Sequence, residues 1–317
     1  MDVMQRLDGA IGRTVQNAVV TIGNFDGVHL GHQALIERGT ELSRHLGGEL
    51  VVVTFDPHPR SVLGSAKGRF VISPLDLKLE RLAELGVEYV KVMPFTRPFA
   101  ETPAQTFMNE ELDGRLPVRW VVVGENFAFG KGGQGTPALL AHWGMARGIG
   151  VSVVPPKRDR EGKPISSTRV RQAIQQGDFE GAEALLGTSF RVRAQVASGA
   201  GRGSQMGVAT ANLEVADDWL MPPYGIYAGS VARQGGEAGL AAVASWGLRP
   251  TFGDLDRPLL EVHVIENELQ LRGEMLTFSF IRRLREERRY DRVDDLIRQM
   301  GDDIANAKAV WLAKANG

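Results

Sequence analysis

The sequence predicts an α/β domain on a parallel sheet, followed by a small antiparallel β-barrel that a C-terminal helix closes. Three observations predict this. As far as Gly187, short valine-rich runs alternate with helical patterns. Beyond Gly187, strand-like runs follow one another with few helices between them. The length, 317 residues, suits two domains, placed at 1–187 and 188–317.

Ala18 to Gly23, Glu49 to Phe55, Tyr89 to Met93, Trp120 to Gly124 and Val151 to Val154 read as strands. Each is short and apolar on both faces, as a parallel strand covered on both sides must be. Ser73-Pro74, Thr102-Pro103 and Thr136-Pro137 each offer a capping hydroxyl before a proline at the first helical position. Leu75, Leu79, Leu82 and Leu85 form an apolar stripe of helical period, ended by Gly86. Alternating strands and helices imply right-handed βαβ units and one parallel sheet.

In the second part, Phe190 to Ser198, Gly225 to Arg233, Leu240 to Trp246, Leu259 to Ile265 and Glu274 to Ile281 are strand-like, with turn residues between them. A helix from about Asp291 to Ala315 follows, with Val293, Leu296, Ile297, Met300, Ile304 and Val310 on its apolar side.

Composition excludes several classes of function. The chain is 43% hydrophobic and 24% charged, with a net charge of −1. No global field draws it to nucleic acid or to an anionic membrane. It has no cysteine, hence no disulfide, thiolate metal site or thiol nucleophile, which fits a reducing cytoplasm. The first ten residues lack the apolar core of a signal peptide, and no apolar run has the length of a membrane span.

Gly23-Asn24-Phe25-Asp26-Gly27-Val28-His29-Leu30-Gly31-His32 stands where the first strand hands over to a helix. Ligands of open α/β sheets bind at that edge. Gly23, Gly27 and Gly31 let backbone approach a ligand closely. The helix N-terminus offers free N–H groups to phosphate. His29 and His32 share a face of the first turn and can donate hydrogen bonds to a triphosphate. Ser166, Ser167 and Thr168, with Arg169 and Arg171, open a later helix and form a second phosphate cradle. An ordinary N-cap with surface arginines accounts for that run equally well. Phe127 and Phe129 are placed to stack on a flat ring while Asn126 pairs with its edge. Plain core packing is their alternative. His58, held between Pro57 and Pro59, gives a rigid wall or a structural turn.

These segments, in this order, resemble the bacterial bifunctional riboflavin kinase/FMN adenylyltransferases, also called FAD synthetases. Gly23 to His32 carries the HxGH signature of nucleotidyltransferases, with Gly23, Asn24, Phe25 and Gly31 beside the ATP phosphates. Thr54 to Pro59 is similar to the family's FDPHP segment, which gives Pro57 and His58 to the flavin site. Gly124 to Gly130 looks like its flavin-contacting loop, and Ile165 to Arg171 matches ISSTxxR. The resemblance implies a Rossmann-like nucleotidyltransferase domain that moves AMP from ATP onto FMN, giving FAD and pyrophosphate. His29 and His32 then serve the phosphates and the transition state. Ser167, Thr168 and Arg169 hold the outer phosphates, and Mg²⁺ shares the charge.

The second half resembles the riboflavin kinase barrel less cleanly. Thr210 and Asn212, which in the family hold ATP and Mg²⁺, are present, as is Arg249-Pro250-Thr251-Phe252. Glu261, in Leu260-Glu261-Val262-His263, corresponds to the base that takes the ribityl proton. On an alternating strand, Glu261 belongs to one face or the other with equal right, and a solvent-facing glutamate on the barrel exterior is its alternative. Ala209 replaces a family proline, Ser204 an arginine, Val208 a phenylalanine and Ser245 an asparagine. A weakened kinase is the expectation. Two other readings stay open: a barrel that only binds flavin, and a nucleotidyltransferase for another phosphorylated acceptor such as glycerol phosphate or nicotinamide mononucleotide.

Overall fold

The computed structural model describes residues 3–7, 15–64, 68–114, 116–197, 210–233, 239–248, 258–265 and 273–316. Ser204, Val208, Ala209 and Arg249 to Phe252 therefore lie outside the described residues. The chain divides into two compact units, Met1–Ser167 and Thr168–Gly317.

In the first unit the strands are β1 (Val3–Arg6), β2 (Ala18–Ile22), β3 (Leu50–Asp56), β4 (Tyr89–Pro94), β5 (Val118–Gly124) and β6 (Gly150–Val154). They form one sheet in the order β1-β4-β3-β2-β5-β6. The five valine-rich strands are parallel, as expected. β1 adds an antiparallel edge against β4 that the sequence reading missed, because four residues reading VMQR carry no strand signature. The chain moves outward from β2 through β3 to β4, then returns to the other side of β2 with β5. The switch point thus lies at the carboxyl ends of β2 and β5.

Alternate residues of the same strands feed two cores. Val20, Ile22, Val51, Val53, Val121 and Val123 pack on one face. Val19, Val52, Val90, Val92 and Val122 pack on the other, against Leu35 and Ile36 of α1 (Leu30–Leu46) and Leu82 of α3 (Leu75–Glu84). A short helix, α2 (Pro59–Val62), precedes α3. Between β4 and β5 come α4 (Arg97–Ala100), α5 (Ala104–Thr106) and a π-helical turn over Phe107–Asp113. Before β6, α6 (Pro137–Met145) starts as read, with Thr136 Oγ1 accepting from the Leu139 amide at 3.2 Å. The other two proline starts differ. Pro103 and Pro74 are themselves the N-cap residues of α5 and α3, without a side-chain cap. The Ser73 hydroxyl instead accepts from the Gly27 amide at 2.8 Å.

Helix α7 (Ser167–Gln176) leads into the second unit, where α8 (Phe179–Leu186) packs on the barrel. Phe179 stacks on Phe280, with ring centroids 5.1 Å apart, and meets Tyr227 edge-on. These ring contacts place α8 against the barrel. The barrel strands are β7 (Arg191–Ala197), β8 (Ala211–Leu213), β9 (Gly225–Arg233), β10 (Leu240–Gly247), β11 (Leu259–Val264) and β12 (Met275–Arg285). They close in the order β10-β11-β8-β7-β12-β9, every neighbouring pair antiparallel. Tyr227, Trp246, Phe278 and Phe280 fill the core.

The last helix, α9 (Val293–Ala315), keeps part of the expected face. Ile304 and Val310 make contact, with Ala307, onto Ala228 and Ile265. Val293 and Ile297 depart from it, 64% and 48% exposed. Small Ala307 permits close approach, and a buried ion pair sets the helix rotation. Arg285 Nη2 lies 2.6 Å from Asp303 Oδ2, and Asp303 is 5% exposed. Among the described residues no helix is long and apolar enough to cross a membrane.

Removing one partner of a buried ion pair strands the other charge. Asp303→Ala is therefore expected to lower stability by about 3 kcal/mol. Urea unfolding followed by circular dichroism checks this, and an unchanged midpoint would contradict the packing described.

Candidate functional sites

The turn from β2 into α1 is strained and heavily braced. Phe25 and Val28 have φ of 47° and 41°, beside Gly27 at 83°. Non-glycine residues in this region cost roughly 1–3 kcal/mol each. Both side chains are fully buried. Asp26, 2% exposed, accepts from the amides of Ile72 and Ser73, each at 3.0 Å. Gln33 Nε2 donates to the Val28 carbonyl at 2.9 Å, and Ser167 Oγ to the Asp26 carbonyl at 3.1 Å. Thr54 Oγ1 donates to the carbonyl of exposed Asn24, also at 3.1 Å.

His29 is the N-cap of α1, its Nδ1 accepting from the His32 amide at 3.3 Å. That bond puts the His29 ring proton on Nε2. The two imidazoles stack, with centroids 3.7 Å apart and planes within 17°. Phe25, read as a phosphate neighbour, lies behind them with its ring 5.0 Å from that of His32. Gly31 is required for this stack. A Cβ there would stand 3.0 Å from the His29 ring and 3.3 Å from the Ile165 carbonyl. His29 is 6% exposed and His32 is half-buried. Burial holds the His32 pKa well below the ordinary histidine value, with the charges of His29 and Lys78 adding to the effect. Its Nδ1 has no hydrogen-bond partner among the described residues. His32 is therefore held neutral at the amino end of a helix, where the first amides have no acceptor of their own.

Ser167 is thus brought to the turn, at the start of α7. Thr168 and Arg169 are the next residues of that helix and belong to the second unit. Pro57 is exposed, but His58 turns inward. Its Nδ1 accepts from the Arg60 amide at 3.1 Å, its Nε2 lies 3.8 Å from Asp26 Oδ2, and its ring meets Phe70 edge-on. His58 braces the wall behind the turn.

Asn126 is exposed after β5, and half-buried Phe127 stacks on Phe129 with centroids 5.3 Å apart. Phe129 itself is core, 8% exposed and packed against Phe107. Its side chain serves bulk, so of the two phenylalanines Phe127 is the one with a free surface. The sequence reading missed Phe55, Phe95 and Phe99, which are half-buried and continue the aromatic wall. Phe55 near the end of β3 and Phe95 just past β4 stand where sheet ligands bind, and that position was the available signal. Asp26 was also missed as a functional residue. An aspartate in a glycine turn looks solvated.

The barrel carries a second cluster. Asn212 lies opposite Glu261 across β8 and β11, and Ser245 lies opposite Glu261 across β10 and β11. Leu260 and Val262 are buried in the barrel, so Glu261, Asn212 and Ser245 form a half-buried row on its outer face. Thr210, exposed, precedes β8. Glu287 joins the row, 3.5 Å from Ser245 Oγ. Burial raises its pKa, against the opposing effects of Ser245 and Arg285. No group of three His, Cys, Asp or Glu among the described residues is arranged to hold a metal.

Comparison with known proteins covers both units. The FAD synthetase family model matches residues 12–169, and the riboflavin kinase model matches 186–311. A bifunctional riboflavin kinase/FMN adenylyltransferase of Listeria monocytogenes is 36% identical over 93% of each chain. Relatives of the same name from Escherichia coli and Bacillus subtilis are 36% and 33% identical over 92% of this chain, covering 92% and 91% of their own lengths. A crystal structure described as a macrolide-efflux protein from Streptococcus pneumoniae superposes with a TM-score of 0.81 at 31% identity, covering 96% of this chain and 97% of that one. With both family models and near full-length relatives in agreement, the chain belongs to the bifunctional riboflavin kinase/FMN adenylyltransferase family.

Proposed function

We propose that the first unit transfers the adenylyl group of ATP to FMN, giving FAD and pyrophosphate, and that the barrel phosphorylates riboflavin with ATP, giving FMN. The observation that carries the reading is the stacked pair His29 and His32 at the amino end of α1, at the sheet's switch point. Two family models and bifunctional relatives favour this over a flavin-binding barrel or another transferase. A cytoplasmic setting agrees with a chain free of cysteine.

In adenylyl transfer, an FMN phosphate oxygen attacks the α-phosphorus of ATP, and the bond from that phosphorus to the bridging oxygen breaks. The acceptor is already anionic, so no strong base is needed. Rate comes from in-line positioning and charge neutralisation. His29 Nε2–H and the His32 ring donate to phosphate oxygens, with the first amides of α1, Gly23 and Asn24 beside them. Ser167, at the start of α7 and bonded to the turn at the Asp26 carbonyl, stands beside the outer phosphates. Phe127, with Phe55, Phe95 and Phe99, offers rings for the isoalloxazine, and Asn126 faces its edge.

In the barrel, Glu261 takes the proton from the ribityl hydroxyl as its oxygen attacks the γ-phosphorus and ADP leaves. Thr210 and Asn212 offer hard oxygen donors to the nucleotide's Mg²⁺. They fit an ion held mainly by phosphate oxygens and water, which would neutralise phosphate charge. Ser245, shorter than the family's asparagine, leaves the row beside Glu261 less filled, and it supports a slower kinase.

The test is conversion of riboflavin and, separately, FMN by the purified protein with ATP and Mg²⁺, followed by chromatography. Both substrates are expected to react. Conversion of FMN alone reduces the barrel to a binding module, and conversion of neither sinks the reading. His32→Ala is expected to lower FMN adenylylation roughly 100-fold or more, as loss of a transition-state donor does, and to leave phosphorylation intact. Glu261→Gln is expected to do the reverse, by roughly two to four powers of ten.

A pH effect on stability follows as well. Because the folded-state pKa of His32 lies below 6.5, the unfolded chain binds more protons in that window. The contribution to stability is complete above 6.5 and is lost as pH falls toward the folded value. The melting temperature of the wild type should therefore fall more steeply below pH 6.5 than that of His32→Gln. Parallel curves would refute it.

A further inference from the structure

Lys78 is a buried charge in the first unit that this chemistry does not call for. It lies on α3, among leucines, and is 4% exposed. Lysine is almost never so buried without a partner. Its Nζ donates to Thr54 Oγ1 at 3.3 Å, and Thr54 Oγ1 in turn donates to the Asn24 carbonyl at 3.1 Å. Among the described residues, Thr54 is the one side-chain hydrogen-bond partner of this ammonium. The carboxylates of Asp26 in the turn and Asp56 at the end of β3 lie near enough to act on it, and it acts on His32 of α1. Beside these groups, His29 stacks on His32, and His58 Nε2 lies 3.8 Å from Asp26 Oδ2.

We propose that Lys78 is a positioning residue of the adenylyl-transfer site, its ammonium pinned through Thr54 to the Asn24 carbonyl so that a fixed positive charge stands against the turn bearing His29 and His32. The inference rests on the adenylyl-transfer reading. A leucine or methionine would fill the same space without the cost of burying a charge. The charge therefore has an electrostatic use. In a site shielded from water it is only weakly screened. It opposes protonation of His32, which then meets ATP as a neutral donor rather than as a cation already paired with a carboxylate. Thr54 links the same ammonium to the Asn24 carbonyl, beside the strained Phe25. Burial lowers the pKa of Lys78, while Asp26 and Asp56 pull it back up.

The experiment uses the full chain and the variants Lys78→Met, Lys78→Arg and Thr54→Val. The His32 ring is titrated by NMR without substrate, its resonance assigned by loss in His32→Gln. The kcat, the KM for ATP and the pH profile of FMN adenylylation are measured beside riboflavin phosphorylation. In Lys78→Met the His32 titration is expected to move up toward the ordinary histidine range. The acid limb of the kcat profile should follow it, and kcat should fall about 10-fold or more, as for loss of a preorganised charge. Lys78→Arg is expected to keep the His32 titration low, and phosphorylation is expected to be unchanged in both. If Lys78→Met does not fold, Thr54→Val serves instead, cutting the link while leaving the charge. It should raise the KM for ATP and leave the His32 titration low. A His32 titration identical in wild type and Lys78→Met overturns the proposal, as does a Thr54→Val enzyme with wild-type kcat and KM. Failure of the underlying reading shows separately, as a wild-type protein that does not convert FMN. The NMR titration does not depend on turnover.

Discussion

The carboxylate of Asp26 is the constraint on which the first site depends. The turn after β2 forces two bulky residues, Phe25 and Val28, into left-handed backbone that favours glycine. Local bonds, from the Val28 amide to the Phe25 carbonyl and from Gln33 to the Val28 carbonyl, support only part of that choice. Asp26 braces it from the side, by accepting two backbone amides from the segment before α3, and Ser73 of the same segment takes the Gly27 amide. Hydrogen bonds to a buried charge contribute about 1.5–3 kcal/mol each, enough to offset one strained residue apiece. Ser167 closes the brace from α7. The turn is thus set before any ligand arrives, and binding need not order it.

That constraint passes directly to the imidazoles. Because Val28 is left-handed, His29 enters α1 as its cap, and capping fixes both its ring orientation and its tautomer. Gly31 then leaves room for the ring, and His32 stacks on it one turn later. The barrel site is held by different means. Glu261, Asn212 and Ser245 keep their places through ladder register alone, three neighbouring strands presenting one residue each on the same outer face.

How much of this the sequence announces depends on whether the signal is local. The five parallel strands are legible because burial on both faces leaves runs of valine, and Thr136 caps its helix as its spacing suggests. β1 is not legible, since an edge strand of four residues has no pattern to read. Ser73 looked like a cap but serves a turn far away in sequence. On α9 the periodicity is real, yet the Arg285–Asp303 pair rotates the helix so that Val293 and Ile297 face outward. Phe127 and Phe129 look alike in sequence, and only packing separates the free ring from the core one. Asp26 and Lys78 were the hardest to see. A buried charge is a property of the folded surroundings, and in sequence each resembles an ordinary solvated residue.

The two sites differ in the sign of the charge they collect, and the difference follows from their nucleophiles. Where one anion must approach another, the protein gathers helix amides, imidazole donors and, behind them, a buried ammonium. Asp26 is spent on backbone amides and faces His58. In the barrel the nucleophile is an alcohol that must lose a proton, and the row carries a carboxylate, Glu261, with a second, Glu287, near it at a raised pKa. A carboxylate pair would repel the two anions where FMN phosphate meets ATP. The separation into two units lets each electrostatic environment be built without compromise to the other.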